Sequence, residues 1–81
     1  MKMTLTGFGR ITVDPEQMNG QPCIRGMRIT VRRVIEALAL YPIWEELIVE
    51  YPELEREDIR QSLEYAAATL EDRVIETELA A

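Results

Sequence analysis

Residues 30–40 read TVRRVIEALAL, and this stretch decides the fold class. Its apolar residues recur at i, i+3, i+4, i+7 and i+8, the spacing of one helix face: Val31, Val34, Ile35, Leu38 and Ala39. Thr30 stands directly before them, where a threonine hydroxyl can cap a helix. The stretch therefore predicts an amphipathic helix that begins at Val31.

Two further helices are predicted downstream. Pro42 ends the first helix, and a short second one runs to the stop at Tyr51-Pro52. Its inward face consists of Trp44, Leu47, Ile48 and Tyr51. A third helix should start near Glu55, because Glu57 and Asp58 put negative charge in its first turn. Its apolar stripe consists of Ile59, Leu63, Ala66, Leu70 and Val74.

The chain upstream of the first helix reads as strand and turn. Residues 10–13, RITV, are β-branched and end at Asp14-Pro15, which indicates a short strand. Residues 19–26, NGQPCIRG, favour a turn and then a short extended piece at Cys23 and Ile24. We therefore predict a single, mainly α domain of helix-turn-helix type. Its parts are a flexible N-terminus over 1–9, a basic strand-turn segment over 10–30, a three-helix core over 31–68 and a helical extension over 69–81.

Length and composition exclude several classes of protein. The chain has 81 residues, of which 47% are hydrophobic and 30% charged, so it is one small globular domain. One cysteine and no histidine exclude a disulfide framework and a cysteine–histidine zinc cluster, and leave catalysis without its usual base. We expect no enzymatic activity, no cofactor, no metal and no small-molecule substrate. No apolar run is long enough for a membrane span or signal peptide, which predicts a cytoplasmic protein without membrane association.

The net charge of −6 is unevenly distributed along the chain. Residues 1–33 contain six basic and two acidic side chains, a balance of +4. Residues 34–81 contain three basic and thirteen acidic side chains, a balance of −10. This segregation suggests a polyanion as partner of the front half and a basic macromolecule as partner of the rear half. The alternative is an acidic solubilising surface with incidental arginines.

Four arginines are the candidate DNA-binding residues. Arg32 and Arg33 lie in the first turn of the first helix, where the helix dipole opposes positive charge by about 0.3–1 kcal/mol. Free backbone donors and two guanidinium groups at a helix start form an anion site, and Arg25 and Arg28 could extend it. The alternative is that these arginines pair with the acidic half of the same chain or of a second copy. The third helix is acidic overall, although Arg60 and Gln61 could reach base edges.

The C-terminal stretch is the candidate partner-binding element. An extended helix would expose apolar residues that need a protein partner or a second subunit to cover them. The residues proposed to contact a toxin or partner are Leu70, Glu71, Asp72, Val74 and Leu79. A frayed terminus is the alternative. We also expect Cys23 to be a small apolar residue in a packed turn, and Trp44 to fill the core rather than anchor an interface.

The sequence as a whole resembles the domain of unknown function 433 family. The resemblance rests on NGQPCIRGMRITV over 19–31 and on YPEL over 51–54, and it extends from about Ile11 to Ala67. It implies a homeodomain-like helix-turn-helix fold and, in bacteria, a place beside a PIN-like nuclease toxin, as in antitoxins of the VapB type. Gln21 stands where family members usually carry a lysine, which weakens one phosphate contact.

These observations lead to three functional hypotheses. The first is a homodimeric antitoxin that binds operator DNA with its basic front half and neutralises a PIN-like toxin with its acidic rear half. The second is a DNA-binding transcriptional regulator that acts without a toxin. The third is an oligomerisation module that binds no DNA.

Overall fold

The computed structural model describes residues 3–5 and 7–70 and shows a mixed α/β domain. Three short strands come first: β1 (Met3–Leu5), β2 (Phe8–Val13) and β3 (Cys23–Ile24). Three helices follow: α1 (Val31–Leu40), α2 (Trp44–Glu50) and α3 (Arg56–Leu70). About half of the described residues are helical, so the prediction of a mainly α protein is wrong.

The sheet is antiparallel and has β2 in its centre, with the order β1-β2-β3. Thr4 pairs with Thr12 on one side, and Ile11 pairs with Ile24 on the other. Gly7, with φ of +85°, lies between β1 and β2 and takes a left-handed backbone conformation that glycine adopts without steric cost. Strand β1 and the start of β2 thus lie in the stretch predicted to be flexible.

All three predicted helices are present, with starts close to those expected. The hydroxyl of Thr30 accepts a hydrogen bond from the Arg33 N–H at 3.0 Å, which confirms the predicted cap of α1. Helix α2 begins at Trp44, and α3 begins at Arg56. The part of the predicted extension beyond Leu70 lies outside the described residues.

The core lies between the sheet and the helices. Its buried apolar residues are Ile11, Ile24, Val31, Val34, Ala37, Leu47 and Leu54. Helix α3 packs on both β2 and α1, and the two α3 residues that are fully buried are polar: Asp58 and Ser62. The sheet therefore covers the α3 surface that a three-helix packing would leave open, and this contact brings the N-terminal arginines against the acidic start of α3.

Candidate nucleic-acid interface

A completely buried carboxylate, that of Asp58, lies at the start of α3. Arg25 binds it with two nitrogens, Nε to Oδ1 at 3.1 Å and Nη2 to Oδ2 at 2.8 Å. Arg10 Nη1 donates to Oδ1 at 3.0 Å and also to Glu55 Oε1 at 2.6 Å. Asp58 therefore holds two arginines of the basic front half in hydrogen-bonded ion pairs.

The same carboxylate also caps α3. Glu55 precedes the first helical residue, and its backbone N–H donates to Asp58 Oδ2 at 2.8 Å. A side chain three residues after the cap position that reaches back to its N–H forms half of a capping box. One carboxylate thus joins the start of α3 to β2, through Arg10, and to the turn after β3, through Arg25.

Burial and hydrogen bonding act in opposite directions on the pKa of Asp58. Desolvation by burial favours the neutral acid, whereas the hydrogen bonds from Arg25, from the Glu55 N–H and from Arg10 favour the carboxylate. The hydrogen bonds prevail, so the pKa of Asp58 lies below its ordinary value of 3.8. Asp58 is therefore ionised at neutral pH.

Arg25, one of the four candidate DNA-binding arginines, is thus committed to contacts within its own chain. Besides binding Asp58, it donates from Nη2 to the Glu53 carbonyl at 2.7 Å. Its backbone φ is +46°, in the left-handed region that a non-glycine residue seldom occupies. For Arg25, the structure shows the pairing with the acidic half of the chain that the sequence left open as an alternative.

The other three candidate arginines lie together. Arg28, Arg32 and Arg33 line a surface cleft of about 250 Å³, which we call the basic cleft. Its remaining walls are formed by Met18, Gln21, Thr30 and Glu36. Arg32 Nε lies 3.4 Å from Glu36 Oε2, in an exposed pair. Among the described residues, Arg28 and Arg33 have no carboxylate within 4.0 Å.

Three backbone N–H groups at the start of α1 are already hydrogen-bonded, so fewer are free to bind an anion than the sequence suggested. The Val31 N–H donates to the Pro22 carbonyl at 2.9 Å, and the Arg33 N–H is taken by Thr30. The Val34 N–H donates to the Thr30 carbonyl at 3.1 Å. Anion binding in the basic cleft would therefore depend on the guanidinium groups more than on free amides of the helix.

The two possible base-reading residues on α3 are also engaged within the chain. Arg60 pairs with Glu57 on one side and with Glu64, at 2.8 Å, on the other. This pairing raises the pKa of Arg60 and, mainly through the hydrogen bond from Arg60, lowers the pKa of Glu57 to about 2. Gln61 Oε1 accepts the Arg10 N–H at 2.9 Å. Neither side chain is free to contact a base without losing these bonds.

The candidate partner-binding residues fall at the end of the described chain. Leu70 is the last residue of α3 that the structure describes, and it is 66% exposed. The other four, Glu71, Asp72, Val74 and Leu79, lie outside the described residues.

Cys23 and Trp44 were assigned to the interior from sequence. Cys23 is buried in β3, and burial raises the pKa of its thiol. Trp44 is only half-buried, and the guanidinium carbon of Arg56 lies 4.7 Å from the centre of its ring.

In the part of the chain that the structure describes, no group of acidic, histidine or cysteine residues could hold a metal ion. No helix there is long and apolar enough to cross a membrane.

The ion pair between Arg10 and Asp58 was not predicted from the sequence. Asp58 was noted only for its charge near the helix start, and Arg10 was counted only in the front-half total. The two residues are 48 positions apart, and no local pattern joins them. Asp58 lies three residues after Glu55, which is the spacing of a capping box, but glutamate is not among the usual cap residues.

The stretch that builds this site, from β2 through most of α3, is also the stretch that a known family shares. The sequence model of the family described as "Protein of unknown function (DUF433)" matches residues 11–66. The chain belongs to this family. The match includes Asp58, Arg25 and the three arginines of the basic cleft, whereas Arg10 lies just before it. No curated protein and no solved structure matches the chain.

Proposed function

We propose that this DUF433 chain binds the phosphate backbone of nucleic acid through the basic cleft, as the operator-binding part of a cytoplasmic antitoxin. The observation that carries the proposal is the convergence of Arg28, Arg32 and Arg33 on one cleft. The proposed role is one of binding, without catalysis, cofactor or small-molecule substrate.

The distribution of neutralised and free charge supports this assignment. Arg10 and Arg25 are bound by Asp58, and Arg60 is bound by two glutamates of its own helix. Arg28 and Arg33 lack such partners among the described residues, and Arg32 has a single, long contact to Glu36. In a chain of net charge −6, a polyanion is attracted only where positive charge stays uncompensated.

The salt dependence of DNA binding tests this proposal. Each phosphate neutralised by an arginine contributes about −0.9 to the slope of log affinity against log salt. With two or three contacts per chain, we expect a slope of roughly −2 to −3 per bound chain. R33A should flatten the slope by about 1 and R28A/R33A by about 2, on the promoter of its own gene and on an unrelated duplex alike.

R60A is the matched control, because it removes the same charge from a helix surface outside the basic cleft. We expect R60A to leave the slope unchanged in gel-shift titrations at several salt concentrations. If R60A weakens binding as much as R33A does, or if R28A/R33A binds like the wild type, the basic cleft does not bind DNA.

A second function, neutralisation of a PIN-like nuclease toxin, is favoured by the exposed end of α3. Leu70 is uncovered where the chain continues into the apolar and acidic sequence EDRVIETELAA over 71–81. A nuclease groove that binds RNA is basic, so an acidic segment would be attracted to it. We propose that this segment, with Leu70, makes the toxin contact.

Deleting residues 71–81 tests the toxin contact. The core residues of the described chain lie upstream of the deletion, so the shortened chain should keep its helical circular dichroism. It should no longer rescue cells that express the nuclease encoded beside it. Full rescue by the shortened chain would show that the toxin contact lies outside residues 71–81. If the chain binds DNA but no nuclease is encoded beside it, a stand-alone regulator would be favoured. If the chain binds neither DNA nor a nuclease, the result would favour the oligomerisation module.

A further inference from the structure

A second concavity adjoins the basic cleft and differs from it in chemistry. It has a volume of about 270 Å³ and lies between the start of α1 and the second half of α3. We call it the apolar pocket. Most of its lining is apolar or aromatic: Pro22, Val31, Ile35, Tyr65 and Ala66. Gln21 and Arg32 line both concavities, so the apolar pocket and the basic cleft share these two residues at their boundary.

The walls of the apolar pocket are held in place by the fold. Val31 is buried on α1, and the Tyr65 ring stands at 86° to the Phe8 ring, with 5.6 Å between their centres. This edge-to-face contact is a favourable geometry for an aromatic pair. The pocket is therefore a preformed recess with an aromatic side chain in its wall.

The Gln21 side chain adds a polar group at the boundary. Its amide can donate and accept hydrogen bonds, and glutamine pairs in this way with the edge of adenine. Among the described residues, this side-chain amide has no hydrogen-bond partner, because the bonds at Gln21 are made by its backbone N–H and carbonyl. A ligand in the apolar pocket would thus meet an apolar recess with one hydrogen-bonding amide at its edge.

We propose that the apolar pocket receives one unpaired base of a single-stranded nucleic acid whose phosphates lie in the basic cleft. A nucleotide joins a flat, largely apolar ring to an anion, which matches an apolar recess beside three arginines. Stacking of bases on aromatic side chains next to a positively charged groove is the general mode of single-strand binding. The proposal rests on the proposed phosphate binding and extends it from duplex operator DNA to strands with unpaired bases.

The size of the apolar pocket favours a single base over a larger group. Pockets that enclose drug-sized ligands measure about 300–1,000 Å³, and the apolar pocket is slightly smaller than the lower limit. In a paired duplex the bases are stacked inside the helix and cannot enter a recess on a protein surface. The apolar pocket would therefore have no role in binding intact duplex but would distinguish a strand with free bases.

Two single strands with equal numbers of phosphates test the proposal on the full chain. One is a twelve-nucleotide oligothymidine, and the other is a twelve-unit strand of abasic sites. Fluorescence anisotropy at low salt should show the intact strand binding about 5- to 10-fold more tightly, because only it can fill the apolar pocket.

A66L fills the apolar pocket from the α3 side with little change in helix propensity. Its matched control is A68L, the same substitution at an exposed position outside the pocket lining. A66L should bind the intact strand no better than the abasic strand, whereas A68L should keep the wild-type ratio. Circular dichroism checks that both variants are folded.

The outcomes separate this proposal from the one on which it rests. Equal affinity of the wild type for both strands, with a clear salt dependence, would leave phosphate binding intact and overturn the base site. An unchanged preference in folded A66L would also overturn it. If neither strand nor duplex binds, both proposals fail.

Discussion

Asp58 tolerates complete burial because every bond that it makes compensates for lost hydration. An ionised carboxylate in an apolar interior costs several kcal/mol unless it is paired and hydrogen-bonded. Two guanidinium groups and the Glu55 N–H supply these partners. Asp58 therefore joins β2, the turn at Arg25 and the start of α3, and the stability of the domain should depend on it.

D58N should destabilise the domain by about 3 kcal/mol, since removing one partner of a buried ion pair leaves the other charges uncompensated. The asparagine oxygen can still accept the Glu55 N–H, so the loss reports mainly on the ion pairs. Urea unfolding measures the difference. E57Q is the control, because it neutralises the adjacent carboxylate, which is only partly buried and pairs only within α3. A similar loss of stability in E57Q and D58N would contradict this role for Asp58.

The contribution of Asp58 to the stability of the domain should depend on pH. Because the pKa of Asp58 is lowered in the folded state, its contribution to stability is present above the ordinary value of 3.8 and is lost as the pH falls through the folded value. The difference in unfolding free energy between the wild type and D58N should therefore be constant near pH 7 and decrease below about pH 4.

At the level of elements, the helices could be predicted from the sequence and the sheet only in part. The start of α1 follows from the apolar spacing after Thr30, which is a local pattern and survives in the fold. Strand β3 confirms the extended piece predicted at Cys23 and Ile24, whereas β1 has only three residues, too few for a period of two to be recognised. Their pairing with β2 depends on contacts between distant residues.

The candidate site, too, could be predicted from the sequence only in part. The grouping of Arg28, Arg32 and Arg33 follows from their proximity to one helix start. The separation of Arg25 from them depends on Asp58, which is 33 positions away. Local spacing could not distinguish an arginine that faces the solvent from one that binds a buried carboxylate.

The N-cap of α1 positions the basic cleft, so its loss should be measurable at the level of the element. T30A removes the hydroxyl that accepts the Arg33 N–H and should cost about 1 kcal/mol in unfolding free energy. T30S keeps an acceptor at this position and should lose less. Equal losses in the two variants would show that the buried methyl group of Thr30, not the cap, is responsible.

At the level of the whole molecule, one face of α3 is not covered within the described chain. Leu63 and Leu70 lie seven residues apart on the same stripe and are 48% and 66% exposed. Leu63 also lines a groove between the three helices, of about 320 Å³, with Leu38 and Trp44. A single domain of about 80 residues gains little stability from its own core, so burying this face would matter.

We therefore expect the chain, when no toxin is bound, to form a homodimer at micromolar concentration through this face of α3. L63N should shift the equilibrium to monomer, because it places a polar amide in an apolar contact. V49N is the control, since Val49 is 74% exposed on α2 and does not line the groove. Sedimentation velocity of the wild type and the two variants measures how much of each is dimeric. If the wild type stays monomeric, or if V49N dissociates as readily as L63N, this face of α3 is not the dimer interface. A symmetric dimer presents two basic clefts to DNA, one from each chain. Loss of the dimer in L63N should therefore also halve the slope of log affinity for DNA against log salt. DNA binding at the start of α1 would then depend on the apolar face of α3.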